Sequence, residues 1–537
     1  MLQQAGKHRA SATTSLPRRL AGTALSAVMV IGMMIVVGGA SPANAATGTI
    51  VSLTFDDANA DNLAASQKLT SKGMKGTFYL NSGFIGATNY LTLANVQSMQ
   101  AAGHEIASHS ISHPDLAGIS LDEAKRQMCN DRVNWANMGI PVANFAYPFA
   151  SSTTAVETAS AACGNNSSRG LGDIKTRFSC TRCAVGETVP PADKNFTKAP
   201  DQVESTWTLA DLKKSVTQAE TKNNGSWVQL TFHHICTGTA GGCAAPSTTP
   251  VIYNAFIDWL ATRPATTTVK TVGTVIGGTT KPAVAGPVAP AAAPGVNAIK
   301  NPSMETFNAA TGLPQCYLAG GYGANTAVFS VSTAAHTGTS AVQVNVSNYT
   351  DGDAKLVPSL DLGECAPTVS VGKTYTLSEW YTSTAPTQFA LYYRTTNGLW
   401  NYWTSSPWFA ASATYTQATW ETPVMPANAT AISFGLNLFN NGTIVTDDIS
   451  MIETGTAPAP LRAAGTSAFT ASLSTAPPVA IGHGPRKNKG DRITKHDTVP
   501  GPTNLKVSRA GKAPQLGLKP GVVVLQPFVV SPELTRG

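Results

Sequence analysis

"TIVSLTFDDANADNLAASQKLTSKGMKGTFYLN", residues 49–81, reads as strand, helix, strand. "TIVSLTFD" is an apolar, β-branched run, "NLAASQKLTSKG" is helix-like with a glycine stop, and "KGTFYLN" is a second strand. The alternation continues outward. "LTLANVQSMQAAG" is a helix and "HEIASHS" a short strand. Ser120 with Glu123 forms a capping box for "LDEAKRQMCNDRVNWANMG", and "ANFAYPF" is another strand. Thr208 with Asp211 resembles a second box, "SWVQLTFHHI" is a strand, and "PVIYNAFIDWLATR" is an amphipathic helix with Pro250 at its start. Repeated β-then-α segments over residues 47–278 predict an α/β fold with a parallel sheet, open or closed into a barrel. In such folds the site lies at the C-terminal ends of the strands. Asp56, His109, Tyr147 and His233 all fall at such ends.

The first strand ends on two adjacent carboxylates, Asp56 and Asp57. Neighbouring strand residues point to opposite faces, and buried acids are costly unless paired. A division of labour follows: one acid binds a cation and the other handles a proton. "ASHSISHPD" supplies histidines for that cation, His109 and His113, four residues apart. Imidazole plus carboxylate is a zinc-type ligand set, and three protein ligands leave a position open for water. Asp57, His109 and His113 would be the ligands, with Asp56 as base and His233, in "LTFHHIC", as proton donor to a leaving group. Cobalt, nickel or manganese would also suit this set. A lone DD pair is usually a solvated turn, and a lone H-x-x-x-H is more often chance. The weight lies in "TFDD", "HSISH", "FAYPF" and "LTFHH" occurring in that order at strand ends.

Residues 49–277 thereby resemble the polysaccharide deacetylase family, carbohydrate esterase family four. The resemblance implies a distorted (β/α) barrel. It makes Asp56 the base, Asp57, His109 and His113 the metal ligands, and His233 the acid. "AYPF" matches the motif in which the backbone N–H of Phe149 binds an oxyanion, and Tyr147 becomes a substrate contact. Four features depart from the pattern. Ala58 stands where glycine is usual, and Ala146 where an arginine orients the base. No clear acid–tryptophan motif follows, only Asp173, Trp207 and Asp211 as candidates, and His234 replaces a frequent aspartate.

The flanks bound the rest. Lys7, Arg9, Arg18 and Arg19, then "ALSAVMVIGMMIVVGGA" and "ANA" at 43–45, read as a secretory signal over residues 1–45. Arg18-Arg19 hints at twin-arginine export, and a retained membrane anchor is the alternative. The mature chain is then expected outside the cell and off the membrane, with its eight cysteines paired by proximity as 129–163, 180–183, 236–243 and 316–365. A four-thiolate zinc site from "CTRC" and "CTGTAGGC" is the other option. Residues 279–297 form a Pro/Ala-rich spacer across which few contacts are expected. Residues 298–454 hold short alternating runs such as "AVQVNV" and "TYTLSEWY", an all-β sandwich or jelly roll.

The opening "NPSMETF" and closing "IVTDDISMIE" of this part resemble galactose-binding-like carbohydrate-binding modules. That resemblance implies a structural calcium at Glu305 and Asp448, with Asp447 nearby. Trp400 and Trp403, flanked by Asn and Gly, are expected in loops as sugar platforms, while at least half of the neighbouring aromatics pack in the core. Residues 455–537 lack periodicity and are expected to be a disordered basic tail. Most of the net charge of +7 sits there, so the body is near neutral. A neutral body favours an uncharged polysaccharide over nucleic acid as partner, for a chain expected to be monomeric. The expected activity is metal-dependent removal of acetyl groups from a glycan. The alternative is a glycan-binding protein whose barrel has lost turnover. A zinc peptidase is disfavoured by the lack of an H-E-x-x-H helix.

Overall fold

The computed structural model describes residues 48–171, 186–221, 226–239, 242–309 and 311–456. The expected signal, Asp173, Cys180, Cys183 and nearly all of the expected tail lie outside the described residues. Among the described residues no helix is long and apolar enough to cross a membrane.

Six parallel strands carry the α/β part: β1 (Thr49–Phe55), β2 (Thr77–Leu80), β3 (Glu105–Ser108), β4 (Asn144–Ala146), β5 (Ser167–Arg169) and β6 (Trp227–Phe232). They lie in the order β5-β4-β3-β2-β1-β6. His234–Ile235 (β7) pairs with Ser247–Thr248 (β8), and Thr267–Val269 (β9) adds in parallel to β1. β5 and β9 were not foreseen; each has only three residues, too few for a period to show. Among the described residues this part also has helices α1 (Asn62–Ser71), α2 (Leu93–Ala101), α3 (Leu121–Asn137), α4 (Thr154–Ala162), α5 (Leu209–Glu220), α6 (Pro250–Leu260) and α7 (Val272–Ile276).

The period of two on β1 sets the layers. Val51, Leu53 and Phe55 join the large apolar cluster, together with Phe78 of β2, Phe232 of β6 and Leu212, Val216 and Phe256 of the helices. Ser52 and Thr54 point the other way, into a polar interior shared with Thr231, Tyr79 and Arg169. Arg169 on β5 donates to Thr231 Oγ1 on β6 at 2.9 Å, although these strands are the two ends of the sheet order. The sheet must therefore curl into a half-barrel for its edges to approach.

Among the described residues the β part has ten antiparallel strands. In chain order they are β10 (Tyr317–Tyr322), β11 (Thr326–Ser332), β12 (Ala341–Ser347), β13 (Asp353–Pro358), β14 (Lys373–Ser383), β15 (Gln388–Thr395), β16 (Trp400–Ser405), β17 (Ser412–Glu421), β18 (Ala429–Leu438) and β19 (Gly442–Thr456). They form two five-stranded sheets, β10-β13-β18-β15-β16 and β11-β12-β19-β14-β17. Val344 and Leu377 of one sheet and Leu356, Leu391 and Phe434 of the other share a single apolar cluster. β19 carries the ordered chain two residues past the expected boundary at 454.

Three of the four expected disulfides are present: Cys129–Cys163, Cys236–Cys243 and Cys316–Cys365. The Cys236–Cys243 bond rules out a four-thiolate zinc site that uses those two sulfurs. The expectation of few contacts across the spacer fails. Arg132 of α3 donates to the carbonyls of Lys281 (2.8 Å) and Pro282 (3.2 Å), and Arg126 donates to that of Pro287 (3.1 Å). Asn130 accepts from Gly286 N at 2.8 Å, and Thr368 of the β part bonds the backbone of Pro290 and Ala292. An extended Pro/Ala chain leaves its carbonyls unpaired, and buried arginines on α3 supply donors. The α/β and β parts belong to one compact unit.

Only half of the Ser120 capping box forms. Ser120 Oγ accepts from Glu123 N at 3.2 Å, but Ser120 N donates to Glu364 of the β part. Glu123 turns instead to Arg126 (3.0 Å) and to Leu362 N of the β part (2.8 Å). The Thr208–Asp211 box is complete.

Candidate active site

The half-barrel places the acid pair as the strand period dictates. Asp56 continues the interior face of Ser52 and Thr54, is 3 % exposed, and bonds Arg169 through Oδ2. The chain then leaves the extended region: Asp57 has φ 75° and Ala58 φ 62°. This left-handed pair turns Asp57 away from the interior, toward the histidines. Glycine would adopt it without strain; Ala58 holds it while fully buried.

His109 follows β3 and His113 lies four residues on, with positive φ at Ser110 (69°) and His113 (59°) tightening the loop. Asp57 Oδ1 lies 3.4 Å from His109 Nε2 and 3.2 Å from His113 Nε2. The ligand atoms of the three residues all lie within 4.8 Å of one another. His109 Nδ1 is 2.8 Å from the carbonyl of Ala146, which can only accept, so Nδ1 carries the proton and Nε2 presents its lone pair. Asp57 Oδ1 is buried and takes no directed hydrogen bond among the described residues. A carboxylate oxygen and imidazole lone pairs thus converge on one point, a donor set suited to a divalent cation.

The titration directions follow from the same crowding of carboxylate and imidazole groups. Burial tends to raise the Asp57 carboxyl, but His113, His233 and His109 outweigh it and hold it well below the usual range. Burial tends to lower His109, but the neighbouring Asp57 and Asp56 carboxylates outweigh it and raise it. Burial pushes His113 down to about 4, which keeps it neutral and able to ligate. The site favours a positive charge between its residues.

Arg169 was not anticipated. Ala146 stands where the resembling family carries an arginine, yet a guanidinium reaches Asp56 from β5 instead, buried above the Tyr79 ring at 5.0 Å. The signal, one arginine in "SSRG", becomes legible only once the sheet curls. Asp56 Oδ1 is buried and takes no hydrogen bond among the described residues. One carboxylate oxygen is therefore fixed by arginine while the other is free to accept a proton.

His233 follows β6, with Nε2 3.9 Å from Asp57 Oδ2 and Nδ1 buried without a partner among the described residues. Two more unforeseen residues, at the start of α1, hold this segment. Asn62 donates to the carbonyl of His233 at 2.8 Å, while Asp61 bonds His234 Nδ1 at 2.7 Å and Ile235 N at 3.1 Å. Asp61, His234 and Cys236 also cluster, but the Cys236 sulfur is held in a disulfide and cannot serve as thiolate ligand. Of the candidates for the acid–tryptophan motif, Asp211 is used in the α5 cap and Trp207 packs on the helix-side core.

Phe149 and Ala150 both have positive φ (54° and 51°), which bends the "AYPF" backbone sharply. The Phe149 ring is 46 % exposed and meets His113 edge-on at 4.6 Å, at the lip of the site. Tyr147 is instead 2 % exposed, packed between Phe145 and Phe196, with its hydroxyl donating to Asn195 O at 2.7 Å. It is a core residue, clustered with Val156 and Ala159 of α4.

Trp400 and Trp403 are on strand β16, not in loops. Trp400 is 4 % exposed and packed with Leu360, Tyr392 and Ala431; Trp403 lies against the core between the sheets. Three apart on a strand paired with β15, the two rings take opposite faces, Trp400 into this smaller cluster and Trp403 partly covered by the core between the sheets. Glu305 accepts from Thr339 N (2.8 Å) and Ser340 N (3.0 Å), while Asp448 accepts from Thr337 Oγ1 at 2.7 Å and lies 2.6 Å from His336 Nδ1. Both carboxylates hold the same loop, residues 336–340. Neither is in the groups of three or more ligand-type residues found among the described residues.

Residues 43–167 match the family model for polysaccharide deacetylase. Over 89 residues, 16% of this chain, the sequence is 32% identical to YxkH of Bacillus subtilis (strain 168), which its name places among polysaccharide deacetylases. The match spans about a third of that protein's length, 32%. Among solved structures, the chain is similar to the Xyl-CE4 domain of a multidomain xylanase from the hindgut metagenome of Trinervitermes trinervoides. That similarity has 18% identity and a TM-score of 0.28, covering 42% of this chain and 89% of that one. It is also similar to a CE4 family pseudoenzyme from Bacillus anthracis, with 15% identity and a TM-score of 0.29, covering 43% of this chain and 66% of that one.

Proposed function

We propose that this chain is an extracellular, metal-dependent hydrolase that removes acetyl groups from a polysaccharide, an N-acetylglucosamine-containing glycan or acetylated xylan. The carrying observation is the convergence of Asp57, His109 and His113 on one point beside a buried aspartate with one oxygen free. Zinc or a similar divalent ion, when bound by these three residues, supplies Lewis-acid polarisation and a more acidic water.

The chain's own residues do the rest. Asp56 accepts the proton of the attacking water on Oδ1, while Arg169 keeps its other oxygen fixed. The backbone N–H of Phe149, in the bent "AYPF" segment, stabilises the negative charge that develops on the carbonyl oxygen. His233, held through its carbonyl by Asn62, delivers a proton to the departing nitrogen or oxygen. The exposed Phe149 ring offers an apolar face to a sugar at the entrance. A structural calcium at Glu305 and Asp448, and a sugar-binding role for the β part, belong to the same reading.

The competing reading, a glycan-binding protein without turnover, leans on the arginine missing at Ala146 and on the unclear acid–tryptophan motif. Arg169 brings a guanidinium to Asp56 from another strand, which answers the first point and leaves the second. Acetate release from chitin oligomers, peptidoglycan, poly-N-acetylglucosamine and acetylated xylan, with and without chelator, decides between them. Release abolished by chelator is expected. Binding without release on all four would leave the non-catalytic reading.

A further inference from the structure

The loop that carries the two histidines is fixed from outside by the β part. Ile111, midway between His109 and His113, is 2 % exposed. A Cβ placed on Gly398, in the β15–β16 hairpin, would fall 2.9 Å from Ile111 Cγ2 and 3.1 Å from Leu362 Cδ2. With φ at +88° and so little space, Gly398 seats the hairpin tip directly on Ile111, and Leu362 lies against the tip. Beside it, Asn134 of α3 donates both to Ser82 Oγ (3.0 Å) and to the carbonyl of Asn397 (2.9 Å). The turn containing Ser82 is tied to the same loop, since Gly83 N donates to Ile111 O at 3.1 Å.

A second route is polar. Gln127 accepts from Ser112 N at 3.1 Å and donates to Ser112 Oγ at 2.9 Å. The same Gln127 amide reaches Glu123 at 3.4 Å, and Glu123 accepts from Leu362 N at 2.8 Å. Both routes start in the β part and end on residues between the two ligands. A loop with left-handed residues at 110 and 113 is strained, and such a conformation persists only where its surroundings over-determine it.

We infer that the β part is a positioning element of the metal site: its hairpin tip and Leu362 hold the His109–His113 loop in ligating geometry. The inference rests on the metal-dependent reading above, but its test does not need turnover. In the full chain, Leu362→Ala removes the packing on the hairpin tip, and Asn134→Ala removes the link to Asn397 from the α3 side. Val331→Ser, at an exposed β11 position, is the control.

Two quantities are measured: the zinc dissociation constant by competition with a chromogenic chelator, and amide exchange of residues 110–113. Both variants are expected to exchange this loop faster and to bind zinc on the order of tenfold more weakly, with the control unchanged. Unchanged loop exchange in both variants overturns the inference, as does faster exchange with unchanged zinc affinity. If one variant fails to fold, the other carries the test. Exchange reports on the loop even in a wild-type chain that releases no acetate, so failure of the deacetylase reading shows separately.

Discussion

At the residue scale, the adjacent acids separate because the backbone changes region between them. Asp56 continues the interior face one residue past the end of β1, and Asp57 is the first left-handed residue after it. Asp57→Ala is expected to lose both zinc and acetate release. Asp56→Asn is expected to keep zinc and lose turnover by about a hundred- to ten-thousand-fold, because the amide cannot take the proton. Elemental analysis beside an acetate assay checks both, and equal zinc loss would make both carboxylates ligands. Arg169→Met should also keep zinc and lose turnover. It leaves Asp56 unpaired, so unfolding should become easier by about 3–5 kcal/mol, as for other broken buried pairs. Denaturant titration reads that cost, and an unshifted midpoint would mean that the Asp56–Arg169 contact contributes little. His233→Ala should retain metal and impair amide substrates more than esters, since an amine leaves poorly without a proton. Paired rates on N-acetyl and O-acetyl substrates test this.

At the element scale, β14 carries an acid where its alternation calls for an apolar residue. Tyr375, Leu377 and Tyr381 on the same face are core residues, and Glu379 lies between them, fully buried. It accepts from Leu436 N at 3.3 Å, a weak compensation for full burial. Burial, with a smaller push from Asp447, raises its carboxyl to about 8. An acid raised in the folded state binds its proton more tightly there than when unfolded. Its contribution is fully present below the unfolded value of 4.5 and is lost as pH rises toward about 8. Thermal stability of the β part should therefore fall between pH 5 and pH 8, and Glu379→Gln should flatten that fall and melt higher at pH 8. Melting curves at the two pH values decide, and an equal fall in the variant would place the linkage elsewhere.

At the scale of the whole molecule, the spacer is a structural strip, not a tether. Its carbonyls are bonded by Arg126 and Arg132, and Glu123 reaches across to Leu362. Cutting the chain after Gly278 should remove these partners and strand buried charges on α3. The shortened chain is expected to melt lower, and to lose activity on soluble as well as insoluble substrates. Full activity on a soluble oligosaccharide would show that the contacts crossing the spacer do not matter to the site.

Patterns along the chain determined the β-then-α order, the ends of the long strands and the residues at those ends, because period and capping act over a few positions. Asp56, Asp57, His109, His113 and His233 were legible for that reason, and so were three disulfides close in sequence. Only the tertiary structure decided what depends on distant segments meeting. Arg169 reaches Asp56 across 113 residues because the sheet curls. Trp400 and Tyr147 were drawn into the core by strand pairing and ring packing, not left at a sugar-facing surface. Glu123 gave up its helix cap for a backbone N–H 239 residues away. Local pattern fixes which face a side chain takes on its own element, but what meets that face is set by closure of the sheet and docking of the β part.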